Sequence, residues 1–366
     1  MASPFFTVIM SGYQNEPYLP KALASIAGQT FSDFEAICYV EESTDNSLAI
    51  CQHFAENDQR FKVVSAPKSG GVSSTRNYGI EHAEGEYLVV IDGDDWVVTD
   101  MLEKLHRKLQ ENQPLDVLSF AALATSSDDV DSMKPDRTSI ITNFKPEDAA
   151  GVFSGPEAIR RSMHCKGKFN AFTWLSIYRT DFLRAHHIRQ AEGKLMEDVD
   201  STPRIWFFAQ RFAYMDEVLY LYRKRPQSIT ANKFRCRSDM IWGFHSLMTF
   251  VAQHDIPEDI LSCWFNQWIG MLYFHLFYPG TVKFLTGSER VSLCKQLLSD
   301  HGERHFLTAV RRTSLQKRLA VPFVSLAACG VIKPAMLFFR LYYFFAERHK
   351  SRGRLTAASQ TSAASS

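Results

Sequence analysis

Between residues 5 and 120 short apolar runs recur at intervals: FFTVIM at 5–10, FEAICYV at 34–40, FKVV at 61–64, YLVVI at 87–91 and DVLSFA at 116–121. Each begins soon after a polar, amphipathic stretch, the rhythm of strands alternating with helices in a mostly parallel sheet. Ser43-Thr44-Asp45 supplies N-cap residue types for a helix with Leu48, Cys51 and Ala55 on one face. A second helix is predicted from Thr99 or Asp100, turning Leu102, Leu105 and Leu109 inward. A third starts near Ser73, with Gly85 placed to stop it in a left-handed conformation. Residues 122–152 are polar and read as an exposed insertion or hairpin. Ser154 and Pro156 open another helix, and EVLYLYRK at 217–224 reads as a strand. From 235 long helical stretches rich in Trp, Phe, Leu and Met take over, so a boundary is set near 232, dividing 1–232 from a helical 233–354. The tail, 355–366, is too polar to build a core.

The chain has 366 residues, enough for one large domain or two. Lys plus Arg (41) and Asp plus Glu (40) nearly cancel, so average charge gives no reason to expect a nucleic-acid partner. Seven cysteines are scattered, with no CxxC pair or Cys/His cluster with zinc spacing, which predicts reduced thiols in the cytoplasm. No basic residue precedes Lys21, so the expectation is a first strand and not a secretory signal.

The run Val89-Val90-Ile91-Asp92-Gly93-Asp94-Asp95 drives a buried strand into three carboxylates. Crowded acids repel one another at a cost of about a few kcal/mol if partly buried, unless a cation offsets them. Hard oxygens at alternating positions suit Mg²⁺ or Mn²⁺ sharing its shell with substrate phosphates. An exposed Asp-Gly-Asp turn has the same spacing, so the cluster alone fits either reading. In an open α/β sheet, ligands bind outside the strand carboxyl ends, where both Glu41-Glu42 and Asp92–Asp95 fall.

The wider context, TVIMSGYQNE through EESTDNS and GGVSSTRNYG to VVIDGDDW, then LMEDVDSTP and VLYLYRKRPQSIT, resembles the family 2 glycosyltransferases over about residues 5–230. That resemblance implies a GT-A fold, Rossmann-like, with a mostly parallel central sheet and flanking helices, here followed by an α-helical C-terminal region. It implies metal-dependent, inverting transfer from a nucleotide-sugar, a UDP-sugar first, to a glycan or lipid-linked glycan acceptor in capsule or lipopolysaccharide synthesis. By position, Asp92 would contact the ribose and Asp94 would ligate Mn²⁺ or Mg²⁺ on the donor diphosphate. Asp95 would brace the turn. Arg76 would meet nucleotide charge, or equally serve as a scaffold arginine paired to an acid. Glu41 stands where the family has its base-reading Asp, and Glu42 replaces the usual turn glycine. Tyr13 and Glu16, shifted by one residue, are assigned to the base pocket, and Arg223, Arg225 and Ser228 to the diphosphate.

An inverting transfer needs a carboxylate beside the acceptor hydroxyl. Asp198 is the predicted base and Glu197 an acceptor-side residue, with Ser201, Thr202 and Pro203 read as the N-cap and first turn of the next helix. A carboxylate there could also simply complement the helix dipole. Trp174 is an acceptor-side candidate for stacking on a sugar, although a core position is the simpler reading. A second overall reading is a nucleotide-sugar-binding scaffold without turnover, in a membrane-associated glycan assembly.

Between 301 and 354 eleven Lys or Arg stand against Glu303 and Glu347. The apolar stretch Leu319–Ile332 is shorter than the roughly 18–20 residues a spanning helix needs. Residues 304–354 are therefore expected at the inner face of the cell membrane as a peripheral element, or as packing within the chain or a homo-oligomer.

Overall fold

The computed structural model describes residues 3–69, 71–112, 114–126, 139–166, 169–225, 233–278, 285–299, 302–313, 315–331 and 333–339. The chain divides into two compact units, Met1–Ala231 and Asn232–Ser366. The expected polar tail at 355–366 and Ser228 lie outside the described residues.

The first unit is a nine-stranded sheet with helices on its faces. Strands β1 (Phe6–Gly12), β2 (Phe34–Glu41), β3 (Phe61–Ala66) and β4 (Tyr87–Asp92) run parallel in the order β3-β2-β1-β4. Helices α1 (Leu19–Ala27), α2 (Ser47–Asn57) and α3 (Ser73–His82) make the crossovers between them. Nearly every residue of β1, β2 and β4 is buried, as expected of strands covered on both faces. The amphipathic α4 (Met101–Asn112) buries Met101, Leu102, Leu105 and Leu109, close to the predicted stripe.

Beyond β4 the sheet becomes mixed. Strand β8 (Ser176–Arg179) lies antiparallel between β4 and β6 (Val117–Thr125), and β9 (Phe212–Arg223) runs parallel to β6. The short β5 (Trp96–Val97) pairs antiparallel with the end of β9, and β7 (Ile140–Ile141) with β6. β4, β6 and β9 thus point the same way, so Asp92 and Arg223 finish at one edge of the sheet.

Three local expectations are corrected. Gly85 is not left-handed; α3 ends at His82 with Ala83 extended behind it, and a Cβ on Gly85 would lie 2.4 Å from the Thr7 nitrogen. The glycine is there because the chain passes against β1. Within the supposedly exposed 122–152, Thr142, Asn143 and Phe144 are buried, and Phe144 stacks on Trp206 with centroids 5.5 Å apart. Residues 127–138 lie outside the description. Finally, the helix placed at Ser201 begins three residues earlier: α7 spans Asp198–Phe208 with Glu197 as its N-cap and Pro203 inside it.

In the second unit α8 (Lys233–Gln253) and α9 (Glu258–Phe277) bury Ile241, Phe244, Trp264, Trp268 and Leu272. Phe277 stacks on Phe339 at 4.0 Å. The helix Gly287–Leu298 is opened by a reciprocal capping box between Thr286 and Glu289. Shorter helices follow at Gly302–Arg311, Leu315–Arg318 and Val321–Ala328. Among the described residues no helix is long and apolar enough to cross a membrane.

Candidate active site

Strand β4 delivers the acidic cluster to the sheet edge, where the chain must turn at once. Gly93 makes that turn against β1: a Cβ there would sit 2.2 Å from the Ser11 carbonyl oxygen, so only glycine fits. The register sets Asp92 beside Ser11, and Gly12 beside Val40. The ends of β1, β2 and β4 therefore form one rim.

The three aspartates have different partners. Asp95 is 1% exposed and accepts from the Tyr220 hydroxyl at 2.7 Å and from the Arg223 backbone N–H at 2.7 Å, tying the turn to β9. Tyr220 also accepts from the Asp92 backbone N–H at 3.1 Å. Burial and the neighbouring Asp94 and Asp92 push the Asp95 carboxyl well above the usual range. Asp94 pairs with Arg225, Oδ2 to Nε 2.6 Å, without the alignment of a hydrogen bond. Its carboxyl is held above the ordinary value by burial, with Arg225 pulling the other way and Asp92 adding repulsion. Arg223 donates to the Asp94 carbonyl at 2.8 Å, and its guanidinium lies over Trp96 and Tyr18, centroids 4.6 and 5.0 Å away.

Asp92 faces the second half of the site through Arg76. This arginine, 4% exposed on α3, sits 2.5 Å from Glu197 Oε1 and 3.5 Å from Asp92 Oδ1. It also donates to Gln190 at 3.2 Å. Burial would lower Arg76, but Glu197, Asp92 and Asp198 outweigh it and hold the cation above its ordinary value. Asp92 Oδ1 is buried and, among the described residues, accepts no hydrogen bond.

Glu197 and Asp198 open α7, where the positive end of the helix dipole favours negative charge. Burial nevertheless dominates: Glu197, 5% exposed, has its carboxyl raised despite Arg76, and Asp198 is pushed up to about 8 by burial and then by Glu197. The loop leading to them is pinned to α3. Asn77 donates to the Gln190 carbonyl and accepts from its N–H, Ser73 donates to the Ala191 carbonyl, and Gly71 passes within 2.8 Å of the Lys194 carbonyl measured from a built Cβ.

The remaining sequence-predicted residues divide in two. Glu41, buried at the end of β2, accepts from Ser69, and Tyr13 accepts from Lys68, whose ammonium also lies over the Tyr13 ring. These stay on the rim. Glu16 instead fastens the start of α2, both of its carboxylate oxygens accepting from Asn46, at 2.8 and 3.0 Å, and these bonds hold its carboxyl below the usual range. Trp174 is 4% exposed and stacked with Phe172, Tyr220 and Tyr222, centroids 4.9, 4.5 and 5.4 Å away, so it is a core residue and presents no free face to a sugar.

Among the described residues no three His, Cys, Asp or Glu side chains gather into a closed metal site. The donors on offer, Asp92 and Asp94, are hard oxygens at one end of the rim. They fit a divalent ion only if a diphosphate completes its shell.

The family description "Glycosyl transferase family 2" matches residues 7–168, which include the whole rim. The chain is 30% identical over 238 residues to the uncharacterized glycosyltransferase EpsJ of Bacillus subtilis (strain 168), covering 64% of this chain and 66% of EpsJ. It is 27% identical over 249 residues to the glycosyltransferase GlyG of Streptococcus pneumoniae, covering 66% and 76%. Residues 7–168 form a family 2 glycosyltransferase domain. The match spans somewhat less than two thirds of EpsJ and 63% of EpsH, a putative B. subtilis glycosyltransferase. Among solved structures, the crystal structure of S. aureus TarS 1-349 in complex with UDP-GlcNAc superposes with a TM-score of 0.70 at 19% identity, covering 93% of this chain and 91% of that one. The likeness establishes the GT-A fold.

Proposed function

We propose that the protein transfers a sugar, with inversion, from a nucleotide-sugar to a hydroxyl of a glycan or lipid-linked glycan acceptor in cell-surface polysaccharide synthesis. The observation carrying this reading is the Arg76 junction, which joins Asp92 at the end of β4 to Glu197, and through it Asp198, more than a hundred residues along the chain. A donor-binding carboxylate and a candidate base thus share one arginine. UDP-GlcNAc bound to TarS supports a UDP-sugar as the first donor to try.

In this scheme Glu41 and Tyr13 face the base, and Asp92, held beside Arg76, accepts from a ribose hydroxyl. Asp94 would hold Mn²⁺ or Mg²⁺, which when bound supplies positive charge to the departing diphosphate. Arg223 and Arg225 supply cationic charge from the end of β9. Asp198 takes the acceptor proton as the acceptor oxygen bonds to the anomeric carbon and the bond from that carbon to the diphosphate breaks. Its raised carboxyl makes the deprotonated form a stronger base, closer in affinity to the hydroxyl it must deprotonate. Glu197 anchors Arg76 and keeps Asp198 at the start of α7.

The reading is tested by offering UDP-, GDP- and dTDP-sugars with and without Mn²⁺ and measuring nucleoside diphosphate release. Turnover of one donor that needs Mn²⁺ and disappears in Asp94→Ala is the expected result. Absence of turnover with every donor, or turnover unaffected by Asp94→Ala, refutes it. A second reading, a nucleotide-sugar-binding scaffold, draws on the pairing of Asp94 with Arg225, which offsets the acid without a metal. Nucleotide binding indifferent to divalent ions, measured by calorimetry, would favour it.

A further inference from the structure

The exposed large hydrophobic side chains among the described residues are Phe274, Leu319, Leu326, Val331 and Leu337, and all five belong to the second unit. Four of them fall between 319 and 337. Leu319 is 59% exposed and Leu337 62%. Such side chains occur singly on many surfaces. Here they come with a charge pattern of one sign: from Arg304 to Ala346 the sequence contains no Asp or Glu.

Within that stretch Arg311, Arg318 and Lys333 are exposed cations interleaved with the leucines. Two cations differ: Arg312 pairs with Glu258 at 3.0 Å, and the Lys317 ammonium is drawn inward onto the Asn266 carbonyl at 2.5 Å, where burial pulls it down to about 8. The helices carrying the exposed residues are short, Leu315–Arg318 and Val321–Ala328, with residues 333–339 also helical. Pro322 sits in the first turn of Val321–Ala328, and Gly330, which holds a φ of 87°, follows its end. Helices this short cannot span a bilayer, but they can lie along one. The sequence continues with Tyr342 and Tyr343 and then Arg348, Lys350, Arg352 and Arg354, residue types favoured at the lipid interface.

We infer that the segment carrying the exposed Leu319, Leu326, Val331 and Leu337 docks on an anionic lipid surface, its apolar side chains entering the acyl boundary and Arg311, Arg318 and Lys333 meeting head groups. Charge complementarity selects this occupant. A second copy of the chain would bring cations against cations with no carboxylate from the same stretch to offset them. The inference stands apart from the transfer chemistry and can fail or hold without it.

Sedimentation with vesicles of phosphatidylcholine, with or without phosphatidylglycerol, tests it on the full chain. Binding is expected only with phosphatidylglycerol and should weaken as salt rises. Arg311→Gln with Lys333→Gln should weaken it by roughly twenty-fivefold, about fivefold per cation removed. Leu319→Ser with Leu337→Ser should weaken it by about tenfold or more at unchanged charge. All four positions are exposed, so unchanged circular dichroism is expected in both variants. No binding, or equal binding to neutral vesicles, overturns the inference. So does a wild-type dimer that the leucine pair converts to monomer while vesicle binding is unaffected.

Discussion

Replacing Arg76 by methionine removes the cation that, among the described residues, is buried between Asp92, Glu197 and Asp198. Arg76 and Glu197 have side chains only 5% and 6% exposed and lie 2.5 Å apart, so the pair is desolvated and the loss leaves acids with no compensating charge. Breaking a buried pair in this way costs about 3–5 kcal/mol. For a unit of this size that lowers the melting temperature by roughly 6–20 °C. Arg76→Met and Glu197→Met should each destabilise, and the double variant should recover about 1–3 kcal/mol relative to their sum, because neither charge is then left alone. Denaturant unfolding of the full chain, followed by tyrosine and tryptophan fluorescence, gives all three values. A loss below about 1 kcal/mol for Arg76→Met would refute the reasoning, as would strict additivity in the double variant.

Removing the Tyr220 hydroxyl (Tyr220→Phe) takes a donor from buried Asp95 and an acceptor from the Asp92 N–H, and should cost about 1–3 kcal/mol in chemical denaturation. Arg225→Gln frees Asp94, so Mn²⁺ binding in the presence of nucleoside diphosphate, followed by electron paramagnetic resonance, should strengthen while turnover of the donor falls; unchanged Mn²⁺ affinity would show that Arg225 does not hold Asp94. Asp198 also sets a pH dependence. Its folded value, about 8, lies above the unfolded carboxylate value of ~3.9, so its contribution is whole below that value and is lost as pH rises through about 8. Asp198→Asn should therefore lose less stability than the unmodified chain between about pH 5 and pH 8 in thermal melts, and an equal loss would contradict the raised carboxyl.

Much of the first half of the sheet was legible because β1 to β4 carry their own signal, apolar-rich runs each ending at a polar rim. The mixed half was not. β8 has four residues between a turn of 3-10 helix and α6 (Thr180–Ala185), too few to show a period, and β7 has two. Asp92, Asp94 and Asp198 could be read as candidates because the motifs around them resemble the family 2 pattern in order; an Asp-Gly-Asp turn or an acid at a helix start alone fits a plain structural role. What holds them could not be read. Arg76 reaches Gln190 across 114 positions and Glu197 across 121, and no local spacing encodes a contact at that range. The start of α7 was misplaced because Pro203 resembles a first-turn proline, whereas the fold tolerates it inside the helix. Trp174 shows the reverse hazard: an aromatic that would suit a sugar is spent on stacking with Tyr220 and Tyr222.

The most direct test is the transfer rate of Asp198→Asn with the donor and acceptor that the unmodified protein uses, alongside the donor dissociation constant. The account predicts that transfer falls by about 10²–10⁴ while donor affinity changes by no more than a few fold. Transfer at the rate of the unmodified protein would contradict it.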